Sequence, residues 1–256
     1  MAIVVFIGIV VLLVISIILI IKYIIFTRYL VDNFRSCNCI VCGKKGSGKD
    51  LVFQYVINKR KDTHYANIPY GDKTNVIELK DVSCAPNDYE HIVNGNISQT
   101  EHKFMEGKDI YISDIGIYLP SYMDSKLYVK FPSMPVLYAL SRQLYDNNIH
   151  CNTQNIERGW KALREQADFY VRVRYTRRFF GFLITRMTTY DRYQSAKDDV
   201  RFVKSRFMNK YSKADVDIYN AEHGEIRDGI IIQRIKRIKY DTRYFEKVLL
   251  KGDRLY

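Results

Sequence analysis

The sequence predicts an α/β fold in which a mostly parallel central sheet follows one N-terminal transmembrane helix. Three observations predict it. Residues 2–21 carry no charge and are nearly all Ile, Val, Leu and Phe. Residues 38–51, NCIVCGKKGSGKDL, pass from a short apolar run through a glycine-rich turn into helix-forming residues. Apolar runs of strand length recur near 110–112, 149–153 and 168–174, with helical periodicity over 135–147.

The first element is residues 2–21. Twenty residues at helical rise span about 30 Å, the thickness of a bilayer core. A cleaved signal peptide wants a positive start and a small-residue cleavage site, and neither is present. The segment therefore reads as an uncleaved anchor, with residues 1–26 as a unit. Lys22, Tyr23, Arg28, Tyr29 and Arg35 follow it. Aromatic and basic residues on that side put the remainder of the chain in the cytosol by the positive-inside rule.

The second element is the glycine turn. Gly43, Gly46, Gly48 and Lys49 stand at the spacing of a phosphate-binding loop, G-x-x-x-x-G-K-[ST]. Glycines let consecutive backbone N–H groups turn toward an anion, and the lysine brings a mobile charge to the β- and γ-phosphates. A helix over 51–61 aims its positive end at the same place. Gly43, Lys44, Lys45, Gly46, Ser47, Gly48, Lys49, Asp50 and Leu51 are the expected nucleotide-binding residues. Asp50 stands where the motif has a Ser or Thr for Mg²⁺. A carboxylate also ligates Mg²⁺, at the cost of negative charge beside a polyphosphate.

Residues 64–69 predict a second strand. Residues 72–107 are polar and read as a rim insertion, with a short strand at 76–79 and turns at Pro86-Asn87 and Asn94-Gly95. Residues 109–119, DIYISDIGIYL, predict a buried strand delivering Ser113 and Asp114 at its C-terminal edge, where ligands bind in open α/β sheets. An acid there, beside a phosphate loop, is the Mg²⁺-organising carboxylate. The next residue is Ile115, where many such ATPases have a catalytic Glu. A strand over 149–153 ends in Gln154 and Asn155, suited to sensing a γ-phosphate or orienting water. Residues 156–167 predict a helix with Arg158, Lys161 and Arg164 at helical spacing, either as arginine fingers toward a neighbour's nucleotide or as a solvated basic face.

From residue 175 the character changes. Residues 179–190 and 229–240 read as strands or hairpins, with a charged, partly helical stretch over 194–217. Residues 36–178 are the expected ATPase core and 179–256 a basic C-terminal extension. A belt of Arg172, Arg174, Arg177, Arg178, Arg186 and further basic residues is interleaved with Tyr and Phe. It suits either a nucleic-acid backbone or anionic lipid. The chain holds 40 Lys plus Arg against 28 Asp plus Glu, a net charge of +12, and both partners fit that balance. The five cysteines are an odd set in a loop context, which argues for reduced thiols. Cys37, Cys39 and Cys42 read as small buried residues rather than a metal cluster, because two share a strand face and the third points away.

Taken together, GKKGSGKD, YISD, the run LSRQLYDNNIHCNTQNIERGWKALREQADFYVRVR and the late YDTRYFEKV resemble the zonula-occludens-toxin-like (Zot) proteins. These are morphogenesis ATPases of filamentous phages (inoviruses), within the FtsK/HerA group of P-loop NTPases. The resemblance spans residues 37–178 and is most specific over 141–174. It implies a parallel sheet with one strand between the phosphate-loop strand and the Asp114 strand. It implies ATP and Mg²⁺ as cofactors, Lys49 as the Walker A lysine, Asp114 as the Walker B acid and Gln154 as sensor. Asp50 and Asp114 would hold the metal, and Arg158 or Arg164 would complete a neighbour's site in a ring-shaped homo-oligomer. It further implies a single-pass motor in the host inner (cytoplasmic) membrane, its C-terminal domain in the cytoplasm, powering phage assembly and virion export. Phage coat and assembly proteins would be its partners, with single-stranded DNA as a further candidate. A DNA-translocating motor of conjugation or chromosome type, and a non-hydrolysing nucleotide-binding scaffold, are the rival readings. Asp50, Ile115 and the N-terminal position of the membrane helix depart from the family pattern.

Overall fold

The computed structural model describes residues 2–77, 106–130, 134–200 and 221–235. The rim insertion over 78–105, Cys84, the basic residues of 201–210 and the YDTRYFEKV segment lie outside the described residues.

Helix α1 (Ala2–Ser36) is far longer than the apolar stretch that begins it. Its 35 residues span about 53 Å, and they divide by burial. Large apolar side chains from Val5 to Ile25 are mostly about half exposed, whereas Phe26, Leu30 and Phe34 are buried. That second set recurs every four residues, so it forms one stripe. The stripe packs into a cluster with Phe53, Phe169, Val171, Met187 and Ile231. The expected anchor is therefore one part of a helix whose other part belongs to the core.

Among the described residues the sheet has eight strands: β1 (Cys39–Cys42), β2 (His64–Ala66), β3 (Thr74–Val76), β4 (Ile110–Ile112), β5 (Ile149–Thr153), β6 (Phe169–Phe179), β7 (Phe182–Tyr190) and β8 (Ile226–Arg234). Their spatial order is β3-β2-β4-β5-β1-β6-β7-β8. The first six of that order are parallel, and β7 and β8 are antiparallel additions. This is the predicted mostly parallel α/β sheet, and β5 does separate β1 from β4. The β6–β7 turn falls at residues 180–181, so the described part of the C-terminal extension continues the core sheet.

Strand alternation sorts the core into two layers. Cys39 and Val41 face α1 and helix α2 (Lys49–Lys59). Ile40 and Cys42 face the opposite layer. There lie α3 (Ile115–Tyr118), α4 (Asp124–Lys130), α5 (Met134–Tyr145), α6 (Lys161–Arg164) and α7 (Tyr193–Lys197). Burial pushes the thiols of Cys39, Cys42 and Cys151 up, which suits inert core residues. A buried Arg60–Asp109 ion pair ties the end of α2 to the start of β4. Asp109 also accepts from the Asn148 backbone N–H at 2.9 Å.

The expected helix over 156–167 is not continuous. A 3₁₀ turn at Ile156–Arg158 and the single turn α6 replace it. Gly159 forms an isolated bridge with Pro120. A Cβ there would sit 2.6 Å from Ile115 Cδ1. Trp160 follows, fully buried against the ring of Tyr128. Tertiary packing at Gly159 and Trp160 thus overrides the local periodicity, and Arg158 and Arg164 do not share one helical face.

Candidate functional site

The parallel strands β1, β4 and β5 end at one edge of the sheet, which brings the loop 43–48, Asp114 and Asn152 together. From β1 the chain turns through residues 43–48 into α2. Gly43 donates its N–H to the Thr153 carbonyl at 3.2 Å, joining the loop to β5. Gly46 and Gly48 hold φ of 75° and 100°, a region where a side chain is strained. A Cβ on Gly43 would meet Ser47 Oγ and the Val173 carbonyl at 2.6 and 2.7 Å. One on Gly48 would meet Thr176 Oγ1 at 2.2 Å. The loop is clamped from β6, where Thr176 Oγ1 donates to the Ser47 carbonyl at 2.7 Å. Lys49 opens α2 and is buried, as is Ser47, whose hydroxyl has no partner among the described residues. Lys44, Lys45 and Gly46 are exposed at the tip, and Leu51 is buried under it.

Asp50 is not a free carboxylate. Its Oδ1 accepts from Tyr70 Oη, Ser113 Oγ and Asn152 Nδ2, each at 2.8 Å. The Tyr70 and Ser113 hydroxyls also lie against each other, and because each carries one proton, a bond between them takes the place of one of the two to Asp50. Asn152 donates to Ser113 Oγ at 3.0 Å, and its carbonyl accepts from the Asp114 backbone N–H at 2.8 Å. Asn67 brackets Ser113, accepting from its N–H at 2.7 Å and donating to its carbonyl at 3.1 Å. The network ties α2, β4 and β5 together behind the loop.

Asp114 follows β4 in the left-handed conformation, φ 53° and ψ 48°, which a non-glycine residue holds only at a cost. Burial raises its pKa, the Lys49 charge pulls it down and Asp50 raises it further, for a net rise. Ile115 is fully buried against Gly159, so the position after the acid serves the core.

The other expected site residues lie further out. Gln154 is exposed beyond the tip of β5. The β5 side chain that reaches the site is Asn152, two residues earlier. Arg158 is exposed. Arg164 donates to the Glu157 carbonyl at 2.6 Å and lies 5.8 Å from the Tyr193 ring centre, a local engagement.

The structure is similar to the N-terminal domain of zonular occludens toxin from Neisseria meningitidis. The identity is 14%, over 82% of this chain and 96% of that one, at a TM-score of 0.43. It is also similar to the genome packaging NTPase B204 from Sulfolobus turreted icosahedral virus 2 in complex with AMP. There the identity is 12%, over 81% of this chain and 96% of that one, at a TM-score of 0.39. No protein-family profile and no curated protein matches this chain.

Part of the expected basic belt is internal. Arg174 donates to Asp199 at 2.7 Å, to Tyr190 Oη at 2.8 Å and to Thr188 Oγ1 at 3.0 Å. Arg172 donates to the Ala196 carbonyl at 2.5 Å. Burial would raise the pKa of Asp199, but hydrogen bonds from Arg174 and Tyr190 outweigh it and hold the group at about 2. Arg177, Arg178 and Arg186 remain exposed. Sequence reasoning missed Asn152, Tyr70, Asn67 and Thr176. The signal for Asn152 was its i, i+2 relation to Gln154, which puts both on one strand face.

Proposed function

We propose that this chain is a membrane-anchored ATPase that powers filamentous phage assembly and export of single-stranded DNA virions through the host cytoplasmic membrane. The observation that carries the ATPase part is the convergence of the loop 43–49 and Asp114 at one sheet edge, with β5 between. The loop fits a polyphosphate: Gly43 and Gly48 leave room that a Cβ would fill, and the Ser47 hydroxyl is buried without a partner among the described residues. Loop N–H groups, Ser47 and Lys49 would bind the phosphates of ATP. Asp114 and the Oδ2 of Asp50 would hold Mg²⁺. Bound Mg²⁺ would neutralise charge developing on the β- and γ-phosphates. Gln154 would sense the γ-phosphate. Arg158, exposed and not engaged as Arg164 is, would be the residue to complete a neighbour's site in a homo-oligomeric ring.

The phage part rests on the sequence resemblance. The membrane part rests on α1, whose helix is long and apolar enough to cross a bilayer. ATP turnover by the full chain in lipid nanodiscs tests the reading, with Lys49→Ala as control. Turnover in the wild type that Lys49→Ala abolishes supports a motor.

A second reading has its own observation. Asp50 is locked by three donors and Ile115 lacks any base, so the chain would bind nucleotide to hold an assembly together. Tight binding without turnover, and turnover gained in Asp50→Thr, would establish that scaffold.

A further inference from the structure

The β6–β7 hairpin ends in residues that the nucleotide site does not use. Phe179 and Phe180 are 59% and 86% exposed. Their rings touch edge to face, with centres 4.6 Å apart. Phe180 and Gly181 form the two-residue turn, at φ 41° and 78°. Such turns favour Asn or Gly at the first position, and a bulky aromatic there is strained. The strain gains little packing beyond the Phe179 ring, because most of the Phe180 ring faces solvent. Arg177, Arg178 and Arg186 are exposed along the same hairpin.

The course of α1 shows what this end faces. The Arg35 carbonyl accepts from Asn148 Nδ2 at 3.0 Å, at the start of β5, so α1 finishes at the edge away from the nucleotide loop. Nearer its middle, the Tyr29 ring lies 3.8 Å from the Arg227 guanidinium, and Phe26 covers Gly229. Backward along α1 is therefore forward along β8, whose last residue, Arg234, pairs with Phe182 beside the hairpin turn. The hairpin end thus lies from Phe26 in the direction of the exposed apolar part of α1.

We propose that the β6–β7 hairpin end is a second membrane contact, in which Phe179 and Phe180 enter the interfacial layer of an anionic bilayer and Arg177, Arg178 and Arg186 engage its lipid phosphates. This rests on the reading of α1 as a membrane anchor. Aromatic rings favour the headgroup level, and basic side chains favour anionic lipid. A single nucleic-acid strand offers phosphates and stacking surfaces too; the shared direction of the apolar helix and the hairpin favours lipid.

The test uses the full chain reconstituted in phosphatidylglycerol-containing vesicles, with tryptophan fluorescence as readout. The sole native tryptophan, Trp160, is buried and gives the background. Phe180→Trp should be blue-shifted and quenched by lipids with a nitroxide near the headgroup. Val10→Trp should be quenched by a nitroxide deep in the acyl chain. Adding Arg177→Glu and Arg178→Glu should abolish the first quenching and leave the second. Val10→Trp quenched with Phe180→Trp at background overturns the hairpin contact and leaves the anchor standing. Both at background overturns the anchor and the hairpin contact with it. Quenching of Phe180→Trp by an oligodeoxynucleotide but not by lipid assigns the hairpin to nucleic acid and overturns the proposal.

Discussion

Asn152 Nδ2 lies 2.8 Å from Asp50 Oδ1, and this bond joins the strand between β1 and β4 to the first turn of the helix after the phosphate loop. The same amide accepts from the Asp114 backbone N–H, so one side chain fixes both carboxylates. Asn152→Ala would leave that N–H without its acceptor and take one of the three donors from Asp50 Oδ1. The loss is about 1–3 kcal/mol, or roughly 5- to 150-fold weaker Mg·ATP binding. Titration with a fluorescent ATP analogue checks it. Unchanged affinity would mean that Asp50 and Asp114 hold their places without the amide.

Two loop glycines should respond differently to alanine. Gly46 and Gly48 both hold positive φ, but a Cβ meets nothing within 4 Å at Gly46 and meets Thr176 at Gly48. Gly46→Ala should cost only the conformational strain, about 1–2 kcal/mol. Gly48→Ala adds an overlap that displaces Thr176 from the Ser47 carbonyl, so nucleotide binding should fall further. A Gly48→Ala/Thr176→Ala pair should recover part of it. Equal losses in the two single variants would remove Thr176 as the loop's clamp.

How far the sequence could be read follows from which facts are local. Residues 43–49 sit within one turn, so their spacing was enough to predict a glycine turn between β1 and α2, and a buried strand leading to Asp114 was as plain. Asn152, Tyr70 and Thr176 reach the site from β5, the β2–β3 loop and β6. Their partners are 102, 20 and 129 residues away, and only the strand order brings them together. The helix expected over 156–167 failed for a related reason, because Gly159 is pressed against Ile115 by a contact that periodicity does not encode. The apolar character of residues 2–21 was plain, but their continuation into a core-packing stripe was not.

That stripe makes the coupling of α1 to the sheet measurable. Phe26 covers Gly229 so closely that a Cβ there would lie 2.2 Å from the ring. Phe26→Ala should destabilise by about 3 kcal/mol. Gly229→Val should also destabilise, by driving the ring off β8. Thermal unfolding in detergent reads both. A chain beginning at residue 27 would lose the same contact and should resemble Phe26→Ala. Full stability in all three would show that the helix rides on the sheet without supporting it.

Asp50 also sets the titration of its neighbour. Burial is the main cause of the raised Asp114 pKa, and the Asp50 charge adds to it. Nucleotide binding that needs ionised Asp114 should therefore fall at a higher pH than an ordinary carboxylate would impose. Asp50→Asn keeps an oxygen for the three donors and removes the charge, so the midpoint should move to lower pH. A midpoint unmoved in Asp50→Asn would show that the two carboxylates do not sense each other.

Two buried histidines should make the fold acid-sensitive. Burial, with the Arg60 charge beside it, lowers the His64 pKa from 6.5 to about 3, and the same causes lower His150 well below its usual value. Both side chains are fully buried. The unfolded chain binds protons that the folded one refuses, so stability is complete above pH 6.5 and declines below it. The slope is about 1.4 kcal/mol per pH unit for each histidine, and for His64 it continues until about pH 3. Asp199, held at about 2 by Arg174 and Tyr190, adds a further loss only once the pH falls below the usual carboxylate range. The melting temperature should therefore begin to fall between pH 6.5 and 5, before carboxylates titrate, and His64→Gln should roughly halve that early slope. A melting temperature flat to pH 5 would mean that water reaches these rings and that they titrate alike in the folded and unfolded chain.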